Sequence, residues 1–320
     1  LYGAGLDSLR LDSVPMPEPG PDQILVRHDA CGICYSDIKI INLGPNHPRI
    51  FGRDLKTDPV VMGHEVVLTV EKVGANRASS FRPGQRFVVQ ADVYYRGVNI
   101  AYGYALHGGM AQWGLVGNEV LDGDEGCYLL PIPDHVGTVQ AALVEPWACV
   151  EAAYRWHENG PVSARLTGHV DADAVAAACA GLPRDGVVVV EDADSDGPVP
   201  VDVGRVHYDG WRFVSGRPHG RAELKAGGRT WLLGAGGPMG QMHVQRTLSL
   251  PEPPAHLVVT DRNDHRLEAL AERFGDLARE RGVAMHLINI RTTPFDPASF
   301  APDGYDDIVV LNLLVRKLVD

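Results

Sequence analysis

The chain has 320 residues, 45% hydrophobic and 22% charged, which is long enough for two domains that each bury a sizeable core. Its formal net charge of -12 argues against nucleic acid or an anionic membrane surface as the main partner. No apolar run reaches about 18 residues and no basic-then-apolar leader is present, so a cytoplasmic protein with no membrane partner is expected.

The chain opens on Leu1 rather than Met, and its natural start is expected upstream. Residues 1–157 read as β-rich. The runs Gln23–Arg27, Val66–Val73 and Gln85–Val89 are short and separated by Pro/Gly punctuation such as PMPEPGPDQ and FRPGQ. That spacing predicts a small barrel-like or sandwich domain with long loops. The stretch 91–112, ADVYYRGVNIAYGYALHGGMAQ, is dense in Tyr and Gly and predicts a loop over a pocket.

From about residue 168 strands and helices alternate. Asp173–Leu182 carries Val175, Cys179 and Leu182 at helical spacing, and GVVVVED follows as a buried-strand run. Next come WRFVSG at 211–216, TWLLGAGGPMG, HLVVTD at 256–261, and a helix with Leu267, Leu270, Phe274 and Leu277 on one face. VAMHLINI and YDDIVVLN complete six strand candidates, the pattern of a doubly wound parallel α/β domain. The acidic stretch 191–204 predicts a solvated loop, since it lacks the ordered ligand spacing of a calcium site.

Residues 234–240, GAGGPMG, follow a strand and precede a helix, where glycines let a pyrophosphate approach the backbone at a helix N-terminus. Gly237 and Gly240 keep the last two positions of the usual fingerprint. Either Ala235 takes the first, or Gly234 takes the turn and the loop is one residue longer. Gly236, Pro238 and Met239 complete the candidate loop. Asp261 ends the next strand, 21 residues past Gly240, where an acid accepts from ribose hydroxyls and repels a 2′-phosphate. NAD(H) is therefore favoured over NADP(H), although Arg262 beside it weakens the preference.

The five cysteines (31, 34, 127, 149, 179) are odd in number and scattered, which favours free thiols or a metal ligand over a disulfide framework. Cys34, His64, Glu65 and Glu145 are zinc-ligand types in ACGICYSDIK, MGHEVV and VEPWACVEAAYR. Their spacings are long, and on residue types alone Cys34 fits a buried core and His64 a hydrogen-bonded histidine. Cys31 reads as packing, and Cys127, Cys149 and Cys179 as buried small hydrophobes. His107 faces either substrate or solvent.

Taken together, GIC-x-SD, GHE about 30 residues on, VGANRASSFRPGQRFVV, GGMAQW, EPWACVEAAYR and the late glycine loop resemble the zinc-dependent medium-chain alcohol dehydrogenase superfamily. Within it they are similar to the polyol branch that includes sorbitol dehydrogenase. Closer still are L-sorbose-1-phosphate reductase-like members, which share the Tyr/Gly loop, GPMG and a VHY (here Val206–Tyr208). Residues 156–170 and 312–320 match nothing in the pattern.

The resemblance implies a GroES-like catalytic domain and a Rossmann nucleotide-binding domain, with hydride transfer between a nicotinamide cofactor and a polyol, sugar or sugar phosphate. It implies Cys34 and His64 as zinc ligands, Glu65 as a ligand or neighbouring acid, and Glu145 as third ligand or holder of a zinc-bound water. Ser36 matches the hydroxyl that takes the alcohol proton, and Asp37 the carboxylate beside it. Lys39 stands where many relatives have a relay histidine. No cysteine lies between residues 86 and 126, so one catalytic zinc and no structural zinc is expected. The family implies a homodimer or homotetramer. Two alternatives remain open: a simple secondary-alcohol dehydrogenase and a catalytically silent nucleotide-binding relative.

The order of segments departs from the family. The chain divides into a catalytic domain at 1–157 and a nucleotide domain at 158–320, in which 158–220 resemble the second half and 221–311 the first. The final return to the catalytic domain is missing or reduced to LLVRKLVD. Either the halves are exchanged or segments are omitted or reordered. A pure exchange of order predicts strand 230–233 at the sheet centre beside strand 187–190.

Overall fold

The computed structural model describes residues 1–154, 162–196, 199–215, 223–296, 299–302 and 304–311. Contacts divide the chain into two compact units, 1–149 and 150–320.

In the first unit β1 (Ile24–Gly32) leads to helix α1 (Tyr35–Leu43), then β2 (Glu65–Val73) and β3 (Arg86–Val89). A small hairpin of β4 (Tyr94–Tyr95) and β5 (Val98–Asn99) follows, then β6 (Trp113–Val116), α2 (Asn118–Leu121), β7 (Leu129–Pro131) and α3 (Thr138–Ala142). Helix α4 (Val144–Ala152) runs across the boundary into the second unit. The main sheet is antiparallel in the order β6-β1-β2-β3-β7.

Period-two alternation drives one face inward, so Ile24, Val26, Val66, Leu68, Val70, Phe87 and Val89 share a core with Val116 and Leu129. On the other face Val67 and Val88 pack against Ala141 and Ala142 of α3. A separate cluster of Leu1, Ile40, Ile41, Ile50, Leu55, Val60 and Met62 fixes α1. The three strands read from the sequence are β1, β2 and β3.

The second unit holds two parallel sheets among the described residues. The first, in the order β10-β9-β8, joins β8 (Val162–His169), β9 (Val187–Asp194) and β10 (Arg212–Ser215), with α5 (Ala172–Cys179) and α6 (Val203–Tyr208) between them. Leu166, Val175, Leu182, Val188 and Trp211 form its core. The second contains β11 (Arg229–Leu233), α7 (Pro238–Ser249), β12 (His256–Asp261), α8 (Asp264–Glu280), β13 (Ala284–Asn289) and β14 (Asp307–Val310), in the order β13-β12-β11-β14. Leu267, Leu270, Phe274 and Ala278 recur along one side of α8 and pack with Leu232, Leu257 and Val259.

Parallel α/β architecture is therefore present, but its strands are shared between two sheets. Strand β11 pairs with β12 and β14, not with β9. Strand β8 occupies part of the stretch that matched nothing in the sequence pattern. The acidic segment also differs from expectation, because 191–194 continue β9 before the chain turns. The link through 216–222 and the terminal LLVRKLVD lie outside the described residues. Among the described residues no helix is long and apolar enough to cross a membrane.

Candidate metal centre and nucleotide loop

Cys34 is the N-cap of α1. Its backbone N–H donates to Asp37 Oδ2 at 2.9 Å, and the Asp37 N–H turns back to the Cys34 side chain, closing a capping box. The box buries Asp37 almost completely and holds its Oδ1 3.6 Å from Nδ1 of His64. Neither atom has a hydrogen-bond partner among the described residues. With Nδ1 facing a carboxylate, Nε2 is the nitrogen left for a metal. Burial opposes a charged His64, but Asp37 and the Cys34 thiol outweigh it and push the pKa up to about 10. A metal bound there displaces that proton.

Glu65 begins β2 directly opposite Gly32 of β1. A Cβ on Gly32 would lie 2.0 Å from Glu65 Oε2, so the glycine leaves the space the buried carboxylate fills. Burial, reinforced by the charge of Glu145, raises the Glu65 pKa. The ligand atoms of Cys34, His64 and Glu65 lie within 4.8 Å of one another. A thiolate, an imidazole and a carboxylate suit zinc at bond lengths of about 2.0–2.3 Å. The orphaned Asp37 and His64 atoms also fit a histidine oriented for a metal.

Glu145, on α4, stays outside this trio, and its carboxylate accepts from Cys149 Sγ at 3.8 Å. Burial raises its pKa and the nearby His64 charge opposes the rise. Ser36 and Lys39, three residues apart on α1, share a face of that helix.

The Tyr/Gly loop packs against the start of the GHE segment. Gly108 and Gly109 donate to Val61 and Gly63 carbonyls at 2.7 and 2.9 Å, and a Cβ on Gly103 or Gly108 would strike the Gly63 backbone. This contact lays buried Tyr104 against His64, with ring centroids 5.5 Å apart, and against His47 at 5.4 Å. Burial raises the Tyr104 pKa, and the Ser36 hydroxyl beside the phenol opposes it. The sequence motifs missed Tyr104 and His47 as individual residues, and only the composition of the loop pointed there. His107 accepts from the Val61 N–H at 3.2 Å, so it braces the loop.

The cysteines need correction. Cys31 does pack against the core, but Cys127 and Cys149 are exposed and Cys179 is half-buried. Cys127 follows a turn at Gly126, and Cys149 sits on the α4 face that carries Glu145, so neither reaches an apolar interior.

In the second unit Gly234 takes the turn after β11 with φ 79°, a conformation that favours glycine. Gly237 caps α7, Pro238 stands at N1 and Met239 is partly exposed; among the described residues no side chain caps this helix. A Cβ on Gly240 would lie 2.3 Å from Ala235, so the glycine permits close contact between helix and loop. Asp261 Oδ2 accepts from the Gly236 N–H at 2.9 Å, and Oδ1 accepts from the Arg262 and Asn263 N–H groups at 2.7 and 3.1 Å. Three of about four acceptor positions of this buried carboxylate are used among the described residues.

Farther along α7, buried Arg246 makes paired bonds to Glu223 at 2.7 and 2.6 Å and reaches Glu151 at 3.1 Å. Its guanidinium lies 3.9 Å from the Tyr154 ring centroid, and the Tyr154 hydroxyl meets His243 Nδ1 at 2.8 Å. Burial and the Arg246 charge lower the His243 pKa to about 4. No sequence motif announced this network.

The chain is similar to known proteins over both of its units. Residues 20–127 match the alcohol dehydrogenase GroES-like domain family. The chain is 25% identical to a mannitol-1-phosphate 5-dehydrogenase of Aliivibrio fischeri over 98% of its own length and 62% of that protein. It is 26% identical to an L-sorbose 1-phosphate reductase of Klebsiella pneumoniae over 97% of this chain and 61% of that one. The chain thus spans about three-fifths of the length of these curated relatives. Among solved structures, 2R,3R-butanediol dehydrogenase from Bacillus subtilis shares the fold, with TM-score 0.57 at 18% identity over 97% of this chain and 69% of that one.

Proposed function

We propose that this chain, which belongs to the medium-chain alcohol dehydrogenase superfamily and to its polyol branch, moves a hydride between NAD(H) and a polyol, sugar or sugar phosphate. The observation that carries the reading is the convergence of Cys34, His64 and Glu65 in the GroES-like region, with Ser36 in the first turn of the helix that Cys34 caps.

Cys34, His64 and Glu65 would hold one zinc ion, which when bound supplies the positive charge that polarises a carbonyl or acidifies an alcohol. A bound nicotinamide supplies or accepts the hydride. Asp37 aims His64 and keeps its ring in one orientation. Ser36 Oγ takes the alcohol proton during oxidation and returns it during reduction. Lys39 cannot repeat the part of a neutral relay histidine, so the proton leaves Ser36 by a different route. Glu145 backs the metal side as a carboxylate outside the three ligands.

Gly234, Gly236, Gly237, Pro238, Met239 and Gly240 would carry the pyrophosphate at the uncapped start of α7. Asp261 would take the adenosine ribose, with Arg262 at its flank, which supports NAD(H) over NADP(H). A cytoplasmic homodimer or homotetramer completes the reading.

Purified protein is expected to carry about one zinc per chain, lost in Cys34→Ser, and to turn over at least one member of a polyol and sugar-phosphate panel with NAD. A metal-free protein that binds NADH without turnover across the panel would sink the proposal.

A further inference from the structure

The orientation that Asp37 gives the His64 ring is completed by a second contact. Asp37 Oδ1 lies 3.6 Å from Nδ1 and marks one edge of the imidazole. A neighbour at one ring atom leaves the plane able to tilt about that atom, and the tilt decides where Nε2 points. Tyr104 meets the same ring, with centroids 5.5 Å apart and 40° between the planes, inside the range of a packed aromatic pair.

The backbone brings these two rings together. Gly63 precedes His64 and Gly103 precedes Tyr104, and a Cβ on Gly103 would lie 2.7 Å from the Gly63 carbonyl oxygen. A Cβ on Gly63 would in turn lie 2.5 Å from Cys31 Sγ, so β1, the GHE segment and the Tyr/Gly loop interlock at the base of both side chains. The Tyr104 ring has two further partners. The Arg49 guanidinium carbon lies 5.4 Å from its centroid, within cation–π reach, and the His47 centroid is also 5.4 Å away. Arg49 is tied to Asp92 at 2.8 Å, and Asp92 accepts from Asn99 Nδ2 at 3.3 Å. Tyr104 shares a core with Ile40, Ile41 and Met62, which accounts for its burial. Burial alone does not call for a planar ring among two imidazoles and a guanidinium.

We propose that Tyr104 is a positioning residue of the metal centre: its ring sets the tilt of the His64 imidazole toward Cys34 and Glu65, and Arg49 holds that ring in place. The inference rests on the oxidoreductase reading above, which puts a metal at this trio, and adds a residue outside the ligands. Asp37 and Tyr104 divide the work, the carboxylate fixing an edge of the imidazole and the phenol ring its tilt. A ring preset in this way has less freedom to lose when a metal binds. Tyr104 acts here through His64 alone, so its effect falls on metal affinity and coordination geometry.

Chelator competition for Zn²⁺ on the purified full chain, with the absorption spectrum of the Co²⁺-loaded protein, tests this without turnover. Tyr104→Leu keeps an apolar side chain and removes the plane. It is expected to lower Zn²⁺ affinity roughly tenfold and to shift the Co²⁺ d–d bands, while the Cys34 thiolate-to-Co²⁺ band remains. Tyr104→Phe restores both. Arg49→Met leaves every ring in place and should lower affinity about two- to fivefold, the worth of one cation–π contact. A residue that only filled the core would lower the melting temperature of the metal-free protein and leave affinity and spectrum as in wild type. That result overturns the positioning role, and if Cys34→Ser still abolishes binding, the oxidoreductase reading stands without it. Should Tyr104→Leu not fold, Arg49→Met decides, and wild-type affinity and spectrum there overturn the proposal. Metal binding that survives Cys34→Ser unchanged puts the ion elsewhere and removes the oxidoreductase reading together with the proposal.

Discussion

At Gly32 a missing side chain does chemical work, because the hydrogen in place of a Cβ is what gives the Glu65 carboxylate its position. Gly32→Ala is expected to displace that carboxylate, lowering zinc affinity at least roughly tenfold in a chelator competition, with an overpacking cost of about 1–3 kcal/mol in the first unit. Unchanged zinc affinity would remove Glu65 from the ligand set. Asp261 gives a second residue-scale test. The wild type is expected to prefer NAD, and Asp261→Asn, which removes the charge that repels a 2′-phosphate, to move the kcat/KM ratio toward NADP. A wild type that prefers NADP would contradict the assignment. These two residues also differ in legibility. Asp261 could be read from its 21-residue spacing after Gly240, because strand, turn and helix lengths are local. The partnership of Gly32 with Glu65 depends on the register between β1 and β2, which the spacing in the chain does not encode.

Among the elements, α7 joins two roles along its 12 residues. Its first turn presents bare N–H groups, and its later turns bury His243, Arg246 and Thr247. His243 predicts a pH dependence of stability. Its pKa falls from 6.5 to about 4 on folding, so between those values the unfolded chain binds the proton and the folded chain does not. Stability conferred by the neutral buried ring is present above pH 6.5 and declines as pH drops toward 4, by at most about 3 kcal/mol. Urea denaturation followed through a probe in the second unit should show this slope, and His243→Gln should flatten it. An identical slope in both proteins would show that Glu223, held low by Arg246, or another group sets it. The helix itself was legible from GAGGPMG, and the strands around it from apolar runs. The Arg246 network was not, since Glu151, Tyr154 and Glu223 meet it from separate parts of the chain.

For the whole molecule, a β-rich part and a parallel α/β part are legible from the change in hydrophobic period along the chain, and the structure contains both an antiparallel sheet and parallel sheets. The grouping of strands did not follow, because similar Val-rich runs fit either sheet equally well and only pairing decides between them. The pairing has a consequence for how such a chain could have arisen. Both neighbours of β11 lie after it in sequence, so its hydrogen-bond ladder closes without any strand from 162–215. That earlier stretch completes a ladder of its own. Segments with self-contained ladders behave as cassettes. Genetic rearrangement could move one past the other and leave every strand pair intact.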